Sequence, residues 1–213
     1  MNNPAEVMVN ETLEIEHSHK DTERAKIGMW IFLLTEMLLF GGLFVIYGMY
    51  RYMNYQAFHI AALELNVTIG TINTFILLTS SLTVAMSITA IQRNQKILAM
   101  LLVGSTIIFA FAFLFNKYVE WAAKFQHGIF PGSQELAERP QGQILYFGLY
   151  YSMMGLHGIH VFIGMIVLSF MLVFIARDKI TANDFAKLEN SALYWHLVDI
   201  IWIFLYPLFY LIR

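Results

Sequence analysis

Cysteine is missing from this chain altogether. That excludes disulfides, iron–sulfur clusters and thiolate metal sites, without singling out a compartment. Charge is scarce as well. Only 13% of the 213 residues are Asp, Glu, Lys or Arg, against roughly 25% in a soluble domain. A surface facing water on all sides cannot be made from so little. There is no basic stripe and no base-stacking motif, so no nucleic acid is expected as a partner. A phosphate loop, a nucleophile elbow and a dinucleotide fingerprint are absent too. The net charge of −2 says little about partners.

What is abundant is apolar. Hydrophobic residues make up 58% of the chain and mean hydropathy is +0.60. The expected fold class is all-α, an integral membrane bundle, because backbone polar groups in lipid must be satisfied within helices or closed barrels. Five stretches, 27–50, 68–91, 97–119, 145–176 and 191–212, reach the ~20 residues needed to cross a hydrocarbon core. Residues 1–26 are polar and mixed in charge, unlike a signal peptide. They read as a flexible or surface-lying cytoplasmic tail before a five-helix domain over 27–213. Gln92 to Lys96 form a tight basic turn, which makes the second and third spans antiparallel neighbours. Residues 51–67 and 120–144 read as interfacial, with Pro131-Gly132 and Pro140 as breakers. The tail, the 92–96 turn and the 177–190 loop share one side with eight basic residues, against five on the other. That bias puts the N-terminus in the cytoplasm and the C-terminus outside.

Polar residues at membrane depth cost free energy and so have a partner or a task. Glu36 lies midway along the first span. An isolated carboxylate there needs a donor or a proton. Gluing the bundle together is the leading reading; carrying protons is the alternative. His157 and His160, three apart, share a face of the fourth span, and Gly164 continues that face so that a neighbour can come close. A histidine answering Glu36 is the favoured reading of this pair. A haem bridged to His196 is the weaker one, because it leaves the remaining polar pattern unexplained. Glu120 is placed at the end of the third span, where a solvated residue is the plainer expectation. Lys117 sits near the same end and can snorkel. His196 and Asp199, three apart in the fifth span, can pair with each other. The second span carries a stripe of Thr71, Asn73, Thr74, Thr79, Ser80, Ser81, Thr83 and Ser87, which reads as a helix–helix seam.

Five segments in order carry a family resemblance. They are Lys26 to Phe40, containing Trp30 and Glu36; Ile72 to Ser81; Glu120; Gly155 to Gly164, containing His157 and His160; and Tyr194 to Tyr206, containing His196, Asp199 and Trp202. Together they resemble subunit III of the haem-copper respiratory oxidases, in the five-helix form found in bacteria. The resemblance covers essentially residues 26–213. It implies a subunit with no redox centre of its own, packed mainly on subunit I and also beside subunit II, in the bacterial inner membrane. Haem and copper would belong to the partner subunits, and cytochrome c would be the donor to the whole complex. Family members hold phospholipid, keep the enzyme from inactivating in turnover and support proton uptake. Glu36 would match the family's buried helix carboxylate, with His160 or His157 as partner. Trp30, Glu120, His196, Asp199 and Trp202 would be structural, proton-linked or lipid-linked. Catalytic and metal-binding residues are not expected. Two departures are the missing first two helices of the mitochondrial form and Pro207 after Tyr206. Subunit III of a quinol oxidase and a nitric-oxide-reductase-associated relative share the fold. A small independent proton-coupled transporter is the reading from another class, but it calls for broken helices or an inverted repeat, and neither is visible.

Overall fold

A computed structural model describes residues 4–212 apart from Asn183, with side chains from Glu23 onward. It is all-α: no strand occurs among the described residues, and five helices are long and apolar enough to cross a membrane. In chain order the helices are α1 (Pro4–Met53), α2 (Tyr55–Leu63), α3 (Val67–Gln92), α4 (Lys96–Gln126), α5 (Gln134–Ala137), α6 (Gln141–Ala176) and α7 (Ala186–Tyr210).

The chain divides into two units, with the boundary inside α1 between Leu39 and Phe40. The first unit is the earlier part of α1. The segment expected to be a tail is helical here from Pro4. Glu and Lys are good helix formers, and nothing in 5–26 breaks the helix. The second unit, from Phe40, is built on a ring of four helices. In this ring α3 packs on α4, α4 on α6, α6 on α7, and α7 back on α3, while α2 lies against α6 and α7.

Local chemistry fixes the corners. The Asn66 side chain caps α3 by accepting from the backbone N–H of Thr68 at 3.0 Å and of Ile69 at 3.3 Å, replacing helix bonds the first turn lacks. Asn94 turns the chain between α3 and α4 with φ 57°, a left-handed conformation Asn tolerates better than most residues. Lys96 Nζ then reaches Asp178 Oδ1 at 2.6 Å and the Ala176 carbonyl at 3.0 Å, tying this corner to the end of α6. Gly164 allows α7 to approach α6. A Cβ there would meet the Trp195 ring at 2.8 Å, closer than side-chain carbon atoms pack.

The spans run further than the apolar runs alone predict. The third, expected to end at 119, continues as α4 to Gln126, and the fourth begins at Gln141 rather than 145. Their added turns carry Gln141 and Gln143, polar residues suited to a membrane interface, and Lys124, which turns inward. Pro207 does not end α7, which continues to Tyr210. Outward faces of α3, α4 and α6 expose Phe75, Phe111, Phe115, Phe162 and Phe170, the surface lipid requires.

Candidate functional site

The hydroxyl stripe on α3 forms the seam that its composition suggests. It docks α7 by a ladder of neutral hydrogen bonds. Thr71 Oγ1 lies 2.7 Å from the Tyr206 hydroxyl, and Trp202 Nε1 donates to Thr74 Oγ1 at 3.0 Å. Trp195 Nε1 donates to Ser80 Oγ at 3.0 Å, and Ser81 Oγ lies 2.6 Å from His196 Nδ1. On the other side of α3, Asn116 Nδ2 of α4 donates to Asn73 Oδ1 at 2.9 Å, and Thr83 meets Thr106 at 2.8 Å. In lipid, where apolar contact between helices gains little, such bonds and close packing hold a bundle together.

Two expectations for α7 meet different outcomes. His196 turns to α3 rather than to Asp199, and the pair their spacing allows is not made. The reason is geometric: Ser81 on the facing helix is within reach of Nδ1. Asp199 is buried, and neither carboxylate oxygen has a hydrogen-bond partner. Trp202 serves the seam through its indole N–H and the core through its face.

An ionic knot lies among α4, α6 and α7. Glu120 is 5% exposed, and α4 continues beyond it. The expectation of a solvated helix end is therefore corrected. Its carboxylate accepts from Tyr210 at 2.7 and 2.9 Å, from Tyr150 at 2.9 Å and from Lys117 Nζ at 3.0 Å. Lys117, expected to snorkel, points inward instead. Its Nζ also donates to the Tyr210 hydroxyl at 2.5 Å and lies 5.0 Å from the Trp202 and Tyr210 ring centroids. A buried ammonium and carboxylate persist only when their remaining donors and acceptors are met, and here aromatic faces and two phenols do that. Tyr150 and Tyr210 went unnoticed in the sequence, and Lys117 was noticed only as a residue that can snorkel. A signal was present: Lys117, Glu120 and Lys124 at i, i+3 and i+7 mark one face of an otherwise apolar helix.

His157 is 1% exposed and packs between Phe113, 5.6 Å away edge-on, and Trp202, 5.4 Å away. Neither of its ring nitrogens has a hydrogen-bond partner. His160 Nδ1 lies 2.7 Å from the Leu156 carbonyl of its own helix, and its ring meets Phe40 at 5.5 Å. Glu36 and Trp30 belong to the first unit, where Glu36 is part-exposed and Trp30 exposed. The two histidines that a bridging haem would use have other neighbours: His157 packs against Phe113 and Trp202, and His196 Nδ1 lies against Ser81. No group of three or more His, Asp or Glu side chains suited to a metal occurs among the described residues.

Comparison of the sequence with known proteins finds relatives over nearly the whole chain. The family model described as cytochrome c oxidase subunit III fits residues 4–212. The chain belongs to that family. Cytochrome c oxidase subunit 3 of Thermostichus vulcanus is 29% identical, covering 94% of this chain and 93% of its own length. "Probable quinol oxidase subunit 3" of Staphylococcus haemolyticus is 27% identical over 96% and 97%. "Heme-copper oxidase subunit I+III" of Aeropyrum pernix is 25% identical over 93% of this chain, which spans only 24% of that longer protein. The chain is thus a multi-pass membrane protein of the haem-copper oxidase subunit III family.

Proposed function

We propose that this chain is the non-redox subunit III of a bacterial aerobic terminal oxidase, lodged in the cytoplasmic membrane. It packs on subunit I, with subunit II in the same complex. It binds phospholipid, stabilises the complex and supports proton uptake during oxygen reduction. Haem and copper reside in the partner subunits, and this chain has no catalytic centre. One observation carries the packing on subunit I: in the Aeropyrum protein a segment like this chain lies within a polypeptide named as subunits I and III together. Fusion of two segments is useful when they sit side by side. The basic residues favour a cytoplasmic N-terminus and an external C-terminus.

Glu36, His157 and His160 are assigned to holding helices or lipid rather than to chemistry on oxygen. Glu36→Ala then loosens the subunit or its lipids more than it slows oxygen reduction. Cytochrome c is the donor favoured by Glu36 together with the Tyr194-Trp195-His196 and Phe204-Leu205-Tyr206 segments. The staphylococcal relative supports a second reading, with quinol as donor. A mild-detergent pull-down of the tagged chain tests both. The expected eluate contains a large haem-bearing subunit, shows haem absorbance and oxidises reduced cytochrome c. Oxidation of quinol alone moves the assignment to the quinol branch, and a colourless chain running alone contradicts the oxidase reading.

A further inference from the structure

At the end of the bundle where α3 begins and α4 ends, a pocket of about 580 Å³ opens between helices. Lys124, Glu120 and His127 line it from α4 and its C-cap, Asn66 and Ile69 from the start of α3, and Glu64 and Arg139 from the adjoining loops. Charge around it does not balance. Glu120 is taken by Lys117 and two tyrosines, and Glu64 Oε1 is paired with Arg139 at 2.5 Å. That leaves Lys124, which is only 7% exposed and has no ion pair of its own among the described residues. Its ammonium, with three hydrogens to donate, has one distant acceptor, the Glu64 carbonyl at 3.3 Å. Its other neighbours are aromatic, the rings of Phe147 at 5.6 Å and Tyr150 at 5.9 Å.

Glu120 and Glu64 lie near enough to act on Lys124 electrostatically, but each is already held by another cation, and a buried ammonium with so few acceptors is costly. Here it faces a cavity that a ligand can enter. Two further features lean the same way. The N-terminal end of α3, a 26-residue helix with no acidic residue in its first turn, borders the pocket, and the positive end of a helix favours an anion. His127 is exposed at the mouth and adds a donor. The volume far exceeds what a single water or small ion needs.

We propose that this pocket binds a phosphate-class anion, with Lys124 as its buried counter-charge and Arg139, His127 and the α3 terminus around it. Its source is either the headgroup of an anionic membrane lipid or free phosphate. The site extends the lipid-binding part of the oxidase reading. Its test reads ligand on the purified complex and does not depend on which donor that complex oxidises.

The experiment is native mass spectrometry of the delipidated complex carrying this chain, titrated separately with phosphatidylglycerol, phosphatidylcholine and inorganic phosphate. Wild type is expected to take up phosphatidylglycerol in preference to phosphatidylcholine. Lys124→Gln is expected to weaken that uptake by about tenfold or more, the loss of one charge-assisted contact. Lys124→Arg keeps the charge and is expected to retain uptake, which separates loss of charge from misfolding. Uptake of inorganic phosphate that depends on Lys124, without lipid preference, supports the site with the free anion as its source. Equal uptake of both lipids together with no Lys124-dependent uptake of inorganic phosphate, or uptake of phosphatidylglycerol unchanged in Lys124→Gln, overturns the proposal.

Discussion

The α3–α7 seam and the Glu120 knot both place polar groups at membrane depth, and they do so in opposite ways. The seam is neutral and distributed. Thr71, Thr74, Ser80 and Ser81 each meet one partner on α7, and the four bonds are spread over three levels of the helix, with Ser80 and Ser81 together. The knot is charged and concentrated. One carboxylate gathers one ammonium and two phenols from three helices. Redundancy follows from the first design and dependence from the second. Losing a rung leaves the others in place, whereas losing one member of the knot leaves a charge in a dry interior.

Removing the centre of the knot gives the sharpest contrast. Glu120→Ala strands Lys117 and is expected to destabilise the bundle by about 3–5 kcal/mol, the scale for breaking a buried pair. Thermal unfolding in detergent, followed by circular dichroism, measures it. Adding Lys117→Met to the same chain is expected to restore part of the loss, because no unpaired charge remains. A double variant as unstable as the sum of the singles denies that the two act as a unit.

Packing between the two regions comes next. Gly164→Val places a branched side chain where even a Cβ meets Trp195 at 2.8 Å. The expected loss is about 1–3 kcal/mol from overpacking, with Trp195 displaced from Ser80 and its tryptophan fluorescence altered. An unshifted melting curve means that α6 and α7 part without penalty.

The smallest effect belongs to the seam. Thr74→Val removes the acceptor for the Trp202 indole N–H and is expected to cost about 0.6 kcal/mol, the average for one such bond between membrane helices. A loss as large as that of Glu120→Ala erases the distinction between the regions.

The spans were legible because a long apolar run has few alternatives in lipid, and the α3 stripe was legible because hydroxyls recur on one helix. The knot was not, because its members are scattered. Tyr150 and Tyr210 look like any aromatic residues of a membrane helix, and only the fold brings them to Glu120. His196 shows the complementary failure. Its spacing to Asp199 is correct for pairing, yet a facing serine on α3 takes the nitrogen, and spacing along one helix carries no information about the neighbour. The end of α4 was misjudged because the apolar run stops at Glu120, whereas the helix continues to Gln126 with Lys124 turned inward. The comparison with known families adds what no contact in one chain contains, namely membership in the cytochrome c oxidase subunit III family.

The most direct test of the account is to prepare the oxidase with and without this chain, and to record haem spectra together with oxygen consumption through many turnovers. A supporting, non-redox subunit predicts unchanged haem bands and a near-normal initial rate, followed by faster inactivation in the depleted enzyme. Loss of haem absorbance in proportion to loss of the chain, or an inactivation rate equal to that of the complete enzyme, contradicts it.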